Sequence, residues 1–454
     1  MGKTGALASF TDRCLKSRLS AYCRDDRDHW SFRGNAVRQH AHTYFQYPAM
    51  MVPQMVGDLL TAITAKNTSY RHVYDPFSGS GTSLTEAMMR GLDFTGQDIN
   101  PLAILLCQAK TIPFFGSALT EKLADISAII DADKGRSIET SFPGIRKWFS
   151  IPVAIKLSRL RRAIRKESSL WARRFFWVAL AETVRLTSNS RTSTFKLHIR
   201  PKTEIDNRDI SPVEIFKQTA KRNIDNLELQ KDVLVERGYV QRGHYTGRIH
   251  VSIADSAAPI SRTRASATYD ILVTSPPYGD NVTTVPYGQH SYLPLQWIDL
   301  HDIDPSIDEQ SLSSTHEIDR RSLGGSRKID PKVESALRDK SPTLSRTIDA
   351  LKNYPRDRAA RVVSFCRDLE KCISPVMSVM RTNAIMIWIL GNRRVGGRIV
   401  PLDQILSEFL VERGSRAVTI IKRDIPSKRM ALRNSVSTTM RSENIVVLRK
   451  GRIE

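Results

Sequence analysis

The chain has 454 residues, of which 41% are hydrophobic and 26% charged, ordinary values for a globular protein that exclude wholesale disorder. Lysine and arginine number 69 against 47 aspartates and glutamates, a net charge of +22 that points to a polyanionic partner, nucleic acid before an acidic membrane. No apolar run is long enough for a membrane span or a signal peptide, and five cysteines without a CxxC pair argue against a disulfide framework or a cysteine-rich zinc site and for reduced thiols in the cytoplasm.

The elements follow in chain order. Residues 1–56 read as polar and irregular, ending in a helix start around Pro53. His72-Val-Tyr-Asp75 has strand character and leads into Pro76-Phe-Ser-Gly-Ser-Gly-Thr82. A helix over Ser83–Arg90 stops at Gly91. Phe94–Asp98 reads as a second strand and Pro101–Ala109 as a second helix.

Residues 115–245 look mostly helical and strongly basic: residues 141–250 carry 23 Lys/Arg against 10 Asp/Glu. The aromatic group Trp171, Phe175, Phe176 and Trp177 reads as a helix core. Strand signals return at Arg248–Asp255 and Tyr269–Thr274. Residues 300–350 are polar, with Gly324-Gly325, and suggest a mobile loop or small insertion. A helix over 356–381, a strand over Ala384–Leu390, a helix over Leu402–Arg413 and strands over Val418–Arg423 and Asn444–Leu448 complete the pattern. Strands alternating with helices predict a mostly parallel α/β sheet covered on both faces, with an antiparallel strand at one edge.

Asp75–Thr82 is a glycine-rich turn between a strand and a helix, where Gly79 and Gly81 let backbone approach a ligand. It lacks the lysine of a Walker loop, and Leu84 stands where a dinucleotide fingerprint has its third glycine. S-adenosylmethionine is the remaining fit, with Asp98 about 20 residues on as the acid for the ribose hydroxyls. Thr274-Ser-Pro-Pro-Tyr-Gly-Asp280 directly follows an apolar strand. Its two prolines rigidify the turn, so the Ser275 hydroxyl, a fixed carbonyl and the Tyr278 ring face one point. That suits a planar ligand with an amino group, its hydrogens accepted by hydroxyl and carbonyl and its ring stacked on tyrosine.

These two motifs together resemble the DNA amino-methyltransferases, most closely the cytosine-N4 group of restriction–modification enzymes, over residues of about 40–115 and 245–450. The resemblance implies a Rossmann-like, S-adenosylmethionine-dependent methyltransferase with a helical basic insertion. Asp75, Pro76, Phe77, Ser78, Gly79, Gly81 and Thr82 match the methyl-donor loop, and Ser275, Pro276, Pro277 and Tyr278 the catalytic motif. Tyr47 and Pro48 match an N-terminal donor-binding element; Asp98, with Ile99 and Asn100 beside it, takes the ribose side, and Asp255 with Ser256 the donor's adenine.

The implied organisation is an N-terminal segment over 1–56, a first catalytic half over 57–114, the insertion over 115–245 as a possible target-recognition region, and a second catalytic half over 246–454. Residues 281–350 rival the insertion for target recognition. The implied partners are double-stranded DNA and a cognate restriction endonuclease, and the implied location is a bacterial cytoplasm at the nucleoid. Arg161, Arg162, Arg173, Arg174, Arg191, Lys428 and Arg429 are candidate DNA contacts, and no metal is expected, His40 and His42 reading as loop or packing residues. Other readings of the same motifs are adenine-N6 methylation of DNA, an RNA base methyltransferase and a catalytically silent DNA-binding subunit. Carbon-5 methylation is disfavoured, because no cysteine follows a proline.

Overall fold

The computed structural model describes residues 2–34, 38–65, 69–258, 269–281, 284–326, 328–425 and 440–451, with no side chains described for 2–11, 25 and 356. Seven strands form the central sheet: β1 His72–Asp75, β2 Asp93–Asp98, β3 Ile249–Ile253, β4 Tyr269–Thr274, β5 Met380–Leu390, β6 Ser415–Asp424 and β7 Ser442–Lys450. Their spatial order is β6-β7-β5-β4-β1-β2-β3. Pairs β1–β2, β1–β4, β2–β3 and β4–β5 are parallel, while β7 runs antiparallel to both β5 and β6. The expected antiparallel pair therefore exists, but its reversed member is the second strand from the edge.

Strand alternation assigns the two faces. Val73, Ile271, Val273, Ile385 and Ile387 point into one core, and Tyr74, Leu272, Met386 and Trp388 into the other. The first face carries helices α1 Gly2–Asp25, α2 Pro53–Thr64, α3 Thr82–Met88 and α4 Pro101–Ala109. It also carries the principal helices of the basic insertion: α5 Gly116–Ala132, α6 Ile151–Lys166, α7 Leu170–Thr187 and α8 Pro212–Glu236. Phe175, Phe176 and Trp177 of α7 are fully buried in that same core, so the insertion is not a separately packed module. The second face is covered by α9 Arg356–Val379 and α10 Leu402–Glu412.

Two expectations are corrected. Residues 1–56 are not irregular throughout, since α1 fills nearly half of that stretch. Its apolar periodicity is weak, and tertiary contacts hold it: Leu15 and Leu19 are buried, and the Asp12 carboxylate pairs with Arg449 and, at 2.6 Å, with Arg416 of the sheet edge. Residues 300–350 are also not a bare loop. They form short helices at Glu317–Arg321, Pro331–Lys340 and Pro342–Leu351, whose apolar residues Ile318, Leu337, Leu344 and Ile348 are buried. Serine, proline and aspartate there are helix starts: Asp330 accepts from Lys332 N, and Ser341 from Leu344 N. No helix among the described residues is long and apolar enough to cross a membrane.

Candidate active site

The carboxyl ends of β1, β2 and β4 converge where strand order reverses between β1 and β4, the place where open α/β sheets bind ligands. A cleft of about 850 Å³, partly open to solvent, lies there. The loop after β1 forms its floor. Gly79 and Gly81 adopt φ of +49° and +73°, a conformation that costs other residues strain. A Cβ on Gly81 would also come within 2.9 Å of the buried Cys107 sulfur.

Asp98, at the end of β2, faces the cleft. One carboxylate oxygen accepts from Gly79 N at 2.9 Å and the other from Asn100 N at 2.9 Å. Burial pushes its carboxyl up to about 6, against the pull of the Asn100, Gly79 and Ile99 amides. Asn100 then caps α4, accepting from Leu102 N at 3.1 Å, while its amide donates to Tyr47 Oη at 3.0 Å and Ser291 Oγ at 2.7 Å. Tyr47, Pro48, Ile99, Pro76, Phe77, Ser78, Thr82 and Asp98 all line the cleft, as do Asp255 and Ser256 after β3. Ser256 is buried and donates to the Pro76 carbonyl, whereas Asp255 is exposed.

Asp75 is set back from this wall. It is fully buried and accepts from Phe77 N at 3.0 Å, Thr274 Oγ1 at 2.6 Å and Ser83 Oγ. Burial pushes its carboxyl up to about 6, the three donors opposing. Asp75 thereby ties the glycine loop to the first turn of α3 and to the last residue of β4.

Ser275 and Pro277 line the same cleft from β4, with Pro276 buried between them. Ser275 Oγ lies 3.1 Å from Tyr278 Oη, and Tyr278 Oη donates to Glu443 Oε1 at 3.1 Å. Gly391, at the end of β5, makes room for the Tyr278 ring: a Cβ there would come within 2.6 Å of it. The following Asp280 and Arg393 are paired at 3.0 Å and nearly buried.

Among the described candidate DNA contacts, Arg162, Arg173 and Arg174 have internal partners. Arg162 binds Asp133 and Glu139, at 2.8 and 2.9 Å. Arg173 grips Asp302 with two hydrogen bonds of 2.8 Å, and Arg174 donates to the Asp302 carbonyl at 2.7 Å. Arg161 is half-buried. These four anchor the insertion or pack within it. Arg191 is exposed, beside a smaller pocket of about 330 Å³ shared with Arg185, Ser190, Thr192 and Lys196. Lys428 and Arg429 lie outside the described residues. His42 meets Glu86 at 3.0 Å, burial pushing its imidazole down to about 4, and no metal-binding cluster occurs among the described residues.

Sequence reasoning missed Glu443 and Tyr287. Glu443 lies 165 positions from Tyr278, and nothing in its local sequence marks it. Tyr287, whose ring lies 5.9 Å from that of Tyr47, carries no motif either.

The sheet order and the cleft at its switch point define a Rossmann-like methyltransferase fold. The chain is 31% identical to the Type II methyltransferase M.MvaI of Kocuria varians over 456 residues, covering 96% of this chain and 97% of that protein, and it belongs to the Type II methyltransferase family. No family model matches the chain. Among solved structures, the rRNA methyltransferase AviRa of Streptomyces viridochromogenes aligns over 89% of this chain and 86% of its own, at a TM-score of 0.30 and 11% identity. So low a score adds nothing to the fold assignment, which rests on the strand order.

Proposed function

We propose that this methyltransferase acts on DNA, moving the methyl group of S-adenosylmethionine to the N4 amine of a cytosine flipped out of the duplex, as the modification enzyme of a restriction–modification system. The observation that carries the reading is that Ser275 lines the same cleft as Asp98. A hydroxyl able to hold an amine and an acid able to hold a ribose thus share one cavity.

The residues fit the donor. Asp98 offers carboxylate oxygens to two vicinal hydroxyls, Phe77 and Pro48 offer flat apolar walls, and Asp255 offers an acceptor for an adenine amine at the solvent edge. The donor supplies an electrophilic methyl carbon on a sulfonium. The protein's part is placement. The lone pair of an exocyclic cytosine amine is delocalised into the ring. Ser275 Oγ and the carbonyl of Ser275 or Pro276 accept the two amine hydrogens and turn that lone pair toward the methyl. Positioning of this kind contributes on the order of 7–11 kcal/mol in well-oriented reactions. Flipping the base costs a few kcal/mol, which phosphate contacts from the basic surface offset.

The test is transfer of labelled methyl to duplex DNA, with the product nucleosides resolved by mass spectrometry. N4-methylcytosine is expected, formed about 100–1,000-fold more slowly by Ser275→Ala. N6-methyladenine would keep the donor site and overturn the base assignment. Label in RNA alone would overturn the DNA assignment, and donor binding without transfer to either would leave a silent binding subunit.

A further inference from the structure

From Ser275, which lines the cleft, a line of hydroxyls runs through Tyr278 and ends on a carboxylate from a distant strand. Tyr278 Oη has a single proton, and it donates that proton to Glu443 Oε1 at 3.1 Å. The remaining contact of this phenol, with Ser275 Oγ at 3.1 Å, must then be one in which the serine donates. Glu443 is itself fixed: its second oxygen pairs with Arg423, and Arg423 Nε donates to the Trp30 carbonyl at 2.8 Å. The guanidinium is buried and the carboxylate nearly so. The polarity of the whole line is therefore set by an anion that can only accept.

We infer that Glu443 is a positioning residue for the reaction proposed above, holding Tyr278 so that Ser275 is a pure acceptor toward the target amine and receiving, through Tyr278 and Ser275, the proton that the amine loses. The inference rests on the amine-methylation reading. With its own hydrogen committed to Tyr278, Ser275 Oγ presents only lone pairs to the cleft. It can accept from an amine and cannot donate to a ring nitrogen or a carbonyl, which selects an exocyclic amine as the target.

The proton balance closes along the same line. The amine nitrogen forms its new bond to carbon with its lone pair, and the electrons of the old carbon–sulfur bond stay on sulfur. One N–H proton then passes to Ser275 Oγ, the serine proton to Tyr278 Oη, and the tyrosine proton to Glu443 Oε1. Each oxygen gains one proton and gives one up, except the carboxylate, which is discharged to solvent after product leaves. A methylated, positively charged exocyclic amine is far more acidic than a carboxylic acid, so the net transfer runs downhill when the three shifts are concerted.

The test uses the full-length protein in four forms: wild type, Glu443→Gln, Tyr278→Phe and the double variant. Single-turnover methyl transfer to duplex DNA is expected to fall about 100-fold in Glu443→Gln, at the low end of what positioned proton transfer contributes. The double variant should be no slower than the worse single one, because the two residues act as one unit. Donor binding by calorimetry should stay within about twofold of wild type, since neither residue lines the cleft beside Asp98.

Thermal unfolding of the ligand-free proteins supplies a readout independent of activity: the two substitutions should be non-additive there as well. Glu443→Asp should recover part of the rate. Losses that multiply in the double variant, or a Glu443→Gln variant that loses rate only in proportion to donor affinity or folded fraction, would overturn the inference and leave Glu443 as a structural partner of Arg423. An active wild type beside a fully active Glu443→Gln variant would overturn the inference alone. A wild type that binds donor but methylates no nucleic acid would overturn the amine-methylation reading and the inference with it.

Discussion

The two halves of the cleft are built in different ways. On the proposed donor half, Asp98 is held by amides near it in the chain, those of Gly79 and Asn100, and only the outer contacts are distant, from Asn100 to Tyr47 and Ser291 and from Ser256 to Pro76. On the acceptor half, Tyr278 reaches Glu443, which reaches Arg423, which reaches Trp30, so one line crosses four separate stretches of sequence. Each half carries a short motif, Asp75–Thr82 on one side and Ser275–Tyr278 on the other, but a motif does not reveal the distant partner that fixes its side chain, as Glu443 fixes Tyr278. Asp75 joins the halves, since Phe77 comes from the glycine loop, Ser83 from the first turn of α3 and Thr274 from the end of β4.

Breaking that joint should have the largest effect. Asp75→Ala leaves two hydroxyls and an amide without their acceptor in the core, at an expected cost of about 3 kcal/mol. Denaturant unfolding measures it, and a loss under about 0.5 kcal/mol would make the joint incidental. The isosteric Asp75→Asn sharpens the point through pH. Burial lifts the Asp75 carboxyl to about 6, above the usual aspartate value near 4. Its contribution to stability is therefore complete below about pH 4 and is lost as pH rises through about 6. The asparagine variant lacks that titration, so its stability relative to wild type should improve between pH 4 and 7, by up to about 3 kcal/mol.

On the donor half, an ionised Asp98 is the better acceptor for hydroxyls, and burial holds its carboxyl up at about 6. Donor affinity should consequently weaken as pH falls through that value. Asp98→Asn should bind donor about 10–100-fold less tightly near neutral pH, the cost of hydrogen bonds to a charged group, and should show a flatter pH profile. Calorimetric titration at several pH values measures both.

The smallest effects separate the basic residues. Arg173→Ala should cost about 1–3 kcal/mol of stability, because Asp302 keeps only the Trp177 indole and loses its cationic partner, while leaving the salt dependence of DNA binding unchanged. Arg191→Ala should leave stability within about 0.5 kcal/mol of wild type. If its exposed side chain meets a phosphate, the slope of log affinity against log salt should fall by about one unit. Fluorescence anisotropy over a salt series reads both variants.

Much of this was legible in the sequence because the determinants are local. The strand cores alternate or run apolar, the prolines mark helix starts and the Ser-Pro-Pro-Tyr turn, and the glycines mark the tight turn after β1. The failures share a cause. Helix α1 lacks a strong apolar stripe and is held by Asp12 against the sheet edge, more than 400 residues away. Net charge located a basic region but could not show that Arg162, Arg173 and Arg174 are committed to internal partners. Glu443 was invisible because its meaning comes only from the phenol it receives.

The most direct test of the divided cleft is to measure donor affinity and single-turnover methyl transfer side by side in Asp98→Asn and Ser275→Ala. Asp98→Asn should lose donor affinity and recover most of its transfer rate at saturating donor. Ser275→Ala should bind donor as wild type does and transfer about 100–1,000-fold more slowly, the scale of losing one preorganised hydrogen-bonding group in an active site. Equal loss of donor affinity in both variants, or wild-type transfer by Ser275→Ala, would contradict the account.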